Sequence, residues 1–471
     1  MKILFNIIFI FVFGTINTCF ANSQLHGEVN ECFELTSIVF RIAEAPEYVN
    51  NALIAYSKDI DNYFEKYKED ELISFVKELR RKHGISYDAI STATAMIEII
   101  NGEVVIKKNI DVKEIATIDE RWSEETFHSF VYLLNKFYVK SNFRSFYMNH
   151  QDLYRVATSR ANEVLRKINL NWFNTFLGIQ INNPLVIISV SNGSHNYSFS
   201  IPKTKGMLNG IVIGCNSDEL GLPFFPERFL TVIVHEISHF KSNQLISNNW
   251  EELKNVSEEI SQSVNIKDKA YESSFSIITE WLTNLFSIMY FKDNESTIID
   301  SNSMVEFLED KGFVWMGRSE KFMEHYVKNR SCYPNIDTYM TQIIAFLNYT
   351  ANNIDLVFSE YNNRIPYIVD IFPLPNSTIS SNIEIIEIRF SQPMDVELHG
   401  FKALDIENIQ DIPLLEYPFW KDSYTFVIKI DKYHLKKGCE YGFKLNKSLF
   451  QSKQGNNIKE DYIYTFKVSN L

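Results

Sequence analysis

Residues 231–240 constrain the fold of this chain most, because they place two histidines and a glutamate in an otherwise apolar run, TVIVHEISHF. Apolar residues on all sides are typical of a helix buried in a core. Positions four apart lie one turn apart on the same face of a helix, so His235 and His239 present their imidazoles together. Buried polar side chains cost free energy unless a partner satisfies them. The run therefore predicts a buried helix that carries a polar site.

The two histidines and the intervening Glu236 have the HExxH spacing of a zinc site. Neutral imidazole is a good zinc ligand, and bound zinc lowers the pKa of its water towards about 7. A carboxylate beside the first ligand can take the proton of that water and later protonate a leaving amine. The motif thus predicts Zn²⁺ as cofactor, His235 and His239 as metal ligands, and Glu236 as catalytic base. A core helix with hydrogen-bonded histidines is the structural alternative.

A third protein ligand is expected, because catalytic zinc keeps three ligands and leaves one position for water. The residues after His239 contain neither the glycine nor the third histidine of the metzincin extension. Glu280 is the predicted ligand, because it is a lone carboxylate in the apolar run FSIITEWLTNLF. Asn284, four positions later, is expected to accept a hydrogen bond from a ligand histidine. The competing carboxylates are Glu272, Glu258 and Glu259, the last two in a polar stretch that indicates solvated surface.

Other side chains are weaker candidates for contact with substrate. His195 lies beside a predicted strand that can run along a cleft. Zinc peptidases use Tyr, His or Arg to stabilise the oxyanion. The candidates are Tyr271, Tyr326 and Tyr333, and the sequence does not choose among them. Tyr326 lies in a predicted helix with His325 and Arg330.

The periodicity divides the chain near Pro366. Before that point, helical spacing predominates, with a helix predicted at 86–100 and strands at 33–43, 185–190, 196–201 and 210–214. After it, strand-like runs separated by turn residues predict a small β-sandwich. The expected organisation is an α+β zincin-like catalytic domain at 22–363, followed by an all-β Ig-like sandwich at 366–471.

The first 21 residues resemble a signal peptide, with Lys2, an apolar run and small residues before a cleavage site after Ala21. The expected location is secreted, periplasmic or at the cell surface; lipid anchoring at Cys19 is less favoured because residues 16–18 are a poor lead-in. No later run is long enough to span a bilayer. The four remaining cysteines are far apart and form no CxxC pattern, so neither zinc knuckles nor a dense disulfide framework is expected; one disulfide would be compatible with export, and the sequence does not pair it. A net charge of −13 argues against a nucleic-acid partner and an anionic membrane surface.

Two resemblances extend this interpretation. The region from about 30 to 350 resembles a family of secreted bacterial proteins known as domain of unknown function 4932. The resembling stretches are 38–43, 60–64, 78–80, 84–89, the HExxH segment, 311–315 and 333–334. This resemblance implies a peptidase-like role for His235, Glu236 and His239, and also for Glu280. The tail resembles a bacterial Ig-like domain of the S-layer-protein type, through 372–376, 388–395, 424–427, Gly438 and 464–466.

The expected function is that of a secreted zinc metallopeptidase acting on a peptide or protein substrate. The alternative is an exported binding or adhesion protein whose HExxH domain is inactive or holds a structural metal.

Overall fold

The structure of the protein is a computed structural model that describes residues 24–49, 52–179, 181, 184–193, 195–264, 266, 273–294 and 299–470. The predicted signal peptide, Glu272 and Tyr271 lie outside these residues. The chain forms two compact units. The first takes in the described residues of Met1–Asn248, Asp293–Ile299 and Arg330–Tyr339, and the second those of Asn249–Lys292, Asp300–Asn329 and Met340–Leu471.

The first unit is mainly helical around one mixed sheet. Its α-helices are α1 Glu31–Ile42, α2 Ile54–Phe64, α3 Glu71–His83, α4 Asp88–Ala95, α5 Ile115–Ile118, α6 Glu124–Lys140, α7 Phe143–Asn149, α8 Gln151–Leu165, α9 Leu170–Phe176 and α10 Phe229–Asn248. Its strands are β1 Gly27–Glu28, β2 Ile97–Ile100, β3 Glu103–Ile106, β4 Leu185–Ile188, β5 Asn196–Pro202, β6 Met207–Ile213, β7 Asn216–Ser217 and β8 Pro223–Phe224.

The mixed sheet of this unit has the strand order β1-β4-β6-β5. Strands β1, β4 and β6 run parallel, and β5 runs antiparallel to β6 at the edge. The ring of Phe199 on β5 crosses Gly210 on β6, where an added Cβ would lie 2.2 Å from the ring. The helix α10, which carries the HExxH segment, contacts both β5 and β6 at this end of the sheet.

The prediction of a strand at 33–43 is wrong, because these residues belong to α1. Asn30 caps the helix by accepting hydrogen bonds from the backbone N–H groups of Cys32 and Phe33. Every residue of α1 except Glu31 is buried. Leu35, Ile38 and Ile42 have the spacing of one face of a helix, and the strand prediction missed this period.

The predicted helix at 86–100 is correct only in its first part. Helix α4 ends at Ala95, and a hairpin of β2 and β3 follows. Asn101 and Gly102 connect the two strands with φ values of 53° and 84°. Two positive φ values match the turn that Asn-Gly favours in short hairpins, because that turn follows the twist of the strands.

The second unit begins with helices and ends with strands. Its α-helices are α11 Trp250–Ser263, α12 Ser274–Asp293, α13 Ser301–Lys311, α14 Met316–Lys328, α15 Met340–Asn352 and α16 Ile354–Arg364. Its strands are β9 Ile368–Phe372, β10 Ser377–Ile379, β11 Ile385–Phe390, β12 Phe401–Lys402, β13 Ile409–Asp411, β14 Phe419–Asp422, β15 Thr425–Lys429, β16 Glu440–Leu445 and β17 Tyr462–Val468.

The strands of the second unit form two sheets around one apolar core. One sheet has the order β10-β17-β16-β12, with β13 also paired to β16, and the other has the order β14-β15-β11-β9. The core draws on both sheets, with Ile388 and Phe426 from one and Phe443 and Phe466 from the other. Helices therefore precede strands as the periodicity predicts. The Ig-like type of this region and the domain boundary between 363 and 366 stay predictions.

Neither cysteine pairing nor a membrane-spanning helix is found among the described residues. Cys32, Cys215, Cys332 and Cys439 are all free thiols, and the first two are buried. Burial raises the pKa of both buried thiols to about 12, which keeps them protonated. No helix in the described ranges has the length and apolar character needed to cross a bilayer.

Candidate metal site

Helix α10 provides a rigid support for the HExxH residues. Its twenty residues begin after Pro226, whose carbonyl accepts a hydrogen bond from the N–H of Phe229. Ile233, Val234 and Ile237 are at most 1% exposed and fix the helix in the core. The buried residues fix the backbone positions from which His235 and His239 project.

The two histidines direct their Nε2 atoms toward one point. His235 Nε2 and His239 Nε2 lie 3.1 Å apart, and the two rings are nearly perpendicular, at 87°. Both residues are half-buried. Two nitrogens bound to one tetrahedral zinc at 2.0–2.1 Å would lie about 3.3 Å apart. The spacing of the two nitrogens therefore fits a shared zinc ion.

The predicted third ligand joins this pair. One ligand atom from each of His235, His239 and Glu280 lies within 4.8 Å of the other two, and all three residues are half-buried. Among the described residues, no other His, Cys, Asp or Glu belongs to this group. Two imidazoles and one carboxylate form the donor set of many catalytic zinc sites.

Glu236 follows the first histidine and is only 8% exposed. It lies outside the group of three, and its role as base stays a prediction. The competing carboxylates Glu258 and Glu259 are exposed on α11, in agreement with their polar surroundings in the sequence.

A neighbour of the site that sequence reasoning missed is Asn243. Its Oδ1 lies 3.2 Å from His239 Nδ1, the ring nitrogen on the side away from His235. The residue expected in this role was Asn284, but its Nδ2 donates to the backbone carbonyl of Glu280 at 2.8 Å. The available sequence signal was spacing alone, because Asn243 stands four residues after His239 on the same stripe of α10.

The structure places the weaker candidates on several different elements. His195 is exposed just before β5, where its ring stacks on Tyr197. His325 is exposed on α14, whereas Tyr326 beside it is fully buried. Tyr333 is half-buried and packs edge-on against Tyr339.

Arg330 donates to the backbone carbonyls of Thr175, Phe176 and Pro334. These hydrogen bonds tie two segments of the first unit together.

A family model matches two thirds of the chain. The model described as "Domain of unknown function (DUF4932)" matches residues 31–346. The chain belongs to this family. The region of this DUF4932 protein that matches includes α10, α12 and all three members of the candidate site. None of the curated proteins compared matches the chain.

Solved structures similar to this DUF4932 protein include two of low similarity. CopC from Methylosinus trichosporium OB3b is 16% identical over 22% of this chain and 93% of its own, with a TM-score of 0.18. The S-layer protein rSbsC(31-844) is 11% identical over 85% of this chain and 46% of its own, with a TM-score of 0.16. At such TM-scores neither similarity supports a conclusion about fold or function.

Proposed function

We propose that this protein is a secreted zinc-dependent metallohydrolase, and specifically a peptidase of the HExxH plus Glu type. The observation that supports this most is the 3.1 Å approach of His235 Nε2 and His239 Nε2, with a ligand atom of Glu280 within 4.8 Å of both histidines. A hydrogen bond between the two rings would account for the histidines alone, whereas a shared ion also accounts for the carboxylate that lies beside both of them. Export is part of the proposal because of the signal-like residues 1–21.

In the proposed mechanism, His235, His239 and Glu280 hold the ion. When bound, zinc polarises a substrate carbonyl and provides a water that ionises near neutral pH. Glu236 accepts the proton of the attacking water as the new C–O bond forms. It then gives that proton to the leaving amine nitrogen as the C–N bond breaks. Atoms and charge balance, because water is divided between the new carboxyl group and the new amine.

A catalytic role is favoured over a structural metal by the number of ligands. Structural zinc sites are closed by four protein ligands, whereas catalytic sites keep three and an open position. The group found among the described residues has three members. The rival proposal, an exported binding or adhesion protein with a structural metal, would require a fourth protein ligand.

The substrate of such an enzyme would lie along strand β5. Strand β6 is paired on both sides, by β4 and β5, and has no edge for another strand. Strand β5 lies at the end of the sheet and contacts α10. An extended peptide that adds to a sheet edge gains backbone hydrogen bonds, so β5 is the proposed position of the substrate main chain.

The test is a peptide-library digest by the purified full chain, with its metal content measured in parallel. We expect about one zinc per chain. We also expect peptide cleavage that a chelator abolishes and that added zinc restores. The matched variant is His235→Ala, which should lose both the zinc and the cleavage. If the well-folded chain takes up no zinc when zinc is supplied, the proposed function is wrong. Zinc bound without any cleavage would favour the structural-metal rival.

A further inference from the structure

The contact between His239 and Asn243 extends the site beyond its ligands. His235, His239 and Asn243 are spaced by four residues along α10, and so they form one stripe on its surface. The 3.2 Å approach of Asn243 Oδ1 to His239 Nδ1 lies at the outer end of this stripe. At the inner end, His239 Nε2 faces His235 Nε2 at 3.1 Å. The two nitrogens of His239 thus have different neighbours.

Those neighbours select one tautomer of the ring. A neutral imidazole carries one N–H, and the nitrogen without hydrogen is the one that can bind a metal. An amide oxygen only accepts hydrogen bonds, so beside Asn243 Oδ1 the hydrogen is held on Nδ1. The lone pair of His239 is then on Nε2, where the second histidine converges.

We propose that Asn243 is a positioning residue that holds His239 in the tautomer and ring orientation needed for metal binding. This inference rests on the proposed zinc site. A partner that accepts the hydrogen on the other ring nitrogen of a ligand histidine raises the basicity of that ligand, and its loss costs about 10- to 100-fold in metal affinity. The hydrogen bond found for the side chain of Asn284 is a different one, from its Nδ2 to the backbone carbonyl of Glu280.

Replacing the amide of Asn243 by a carboxylate should preserve or increase the affinity for zinc. A carboxylate accepts more strongly than an amide and has no donor, so it can stabilise only the tautomer with hydrogen on Nδ1. Asn243→Asp should therefore bind zinc at least as tightly as the unchanged chain. Asn243→Leu and Asn243→Ala remove the acceptor. Because Asn243 is exposed, neither change leaves a buried cavity.

The experiment measures zinc affinity of the full chain by competition with a chromogenic chelator. Asn243→Leu and Asn243→Ala should bind zinc about ten times more weakly or worse, and Asn243→Asp should not. Asn248→Leu is the matched control, since it makes the same change at another exposed position of α10 and should leave affinity unchanged. Equal affinities for Asn243→Leu, Asn243→Ala and the unchanged chain would overturn the inference.

A second readout does not depend on the metal. Long-range ¹H–¹⁵N spectra of the metal-free chain, labelled at histidine, report which ring nitrogen carries hydrogen. His239, identified by the signal lost in His239→Ala, should carry it on Nδ1 in the unchanged chain and in Asn243→Asp. In Asn243→Leu this preference should disappear. A chain that shows the tautomer preference but takes up no zinc would refute the proposed function alone, whereas hydrogen on Nε2 in the unchanged chain would overturn this inference alone.

Discussion

Glu34 is a carboxylate without any exposed surface in the core of the first unit. Its oxygens accept hydrogen bonds from the hydroxyl of Tyr56 at 2.9 Å, the N–H of Val190 at 3.1 Å and the hydroxyl of Ser189 at 3.4 Å. These donors favour the charged form, but burial outweighs them and raises the pKa of Glu34 from 4.5 to about 7. We predict that this residue makes the stability of the first unit depend on pH.

The sign follows from the raised pKa. Folded protein binds the proton of Glu34 more tightly than unfolded chain does, so folding is favoured where Glu34 is protonated. This contribution is fully present below pH 4.5 and is lost as the pH rises to about 7. One pKa unit corresponds to about 1.4 kcal/mol, so the loss is about 3 kcal/mol. Glu34→Gln cannot ionise and should not show it.

The assay is urea unfolding of wild type and Glu34→Gln, followed by tryptophan fluorescence, at several pH values from 4.5 to 8. Relative to the variant, wild type should lose about 3 kcal/mol of unfolding free energy over this range. Glu120→Gln is the matched control, because it makes the same change at an exposed carboxylate and should run parallel to wild type. A difference between wild type and Glu34→Gln that stays constant with pH would refute the reasoning.

Three further predictions concern other parts of the chain. Tyr56→Phe removes a hydroxyl that donates to Glu34, so the pKa of Glu34 should rise and the pH-dependent loss of stability should move to higher pH in the same urea titrations. Asp337→Ala leaves the buried ammonium of Lys241 without the carboxylate that contacts it at 2.7 Å. Thermal or urea unfolding should show that the free energy of unfolding falls by about 2 kcal/mol, and adding Lys241→Met should restore part of it. An unchanged free energy of unfolding would contradict this prediction. A chain of residues 366–471 should give a β-type circular dichroism spectrum and one cooperative unfolding transition, because the described residues of its apolar core all lie in this range. Aggregation without such a transition would show that the helices complete the core.

The sequence predicted elements best where their burial is one-sided. Strand β5 alternates half-buried and buried residues from Asn196 to Ile201, and its alternating sequence predicted it. The prediction for α1 failed because it took an apolar run for a strand and missed the helical spacing of Leu35, Ile38 and Ile42. The prediction missed the β2–β3 hairpin because the turn signal of Asn101 and Gly102 was not weighed against the helical pattern around it.

The candidate site was predictable as far as one helix reaches. The spacing of His235 and His239 fixes their common face, which is a local property of α10. Glu280 was identified by its isolation in an apolar helix, and its nearness to the histidines agrees with that choice. Asn243 was missed because a lone asparagine on an exposed helix position has no distinctive pattern. Its role becomes visible only from the distance to His239 Nδ1.

The measurement that tests the central claim most directly is bound zinc and peptide turnover for Glu236→Gln and Glu280→Ala across added zinc. Glu236→Gln keeps the size of the side chain but removes the proton acceptor, so it should retain zinc and lose about 10²- to 10⁴-fold in turnover. Glu280→Ala should bind zinc weakly, and excess zinc should restore part of its turnover, which it should not do for Glu236→Gln. Zinc bound as tightly by Glu280→Ala as by wild type, or full turnover by Glu236→Gln, would contradict the account.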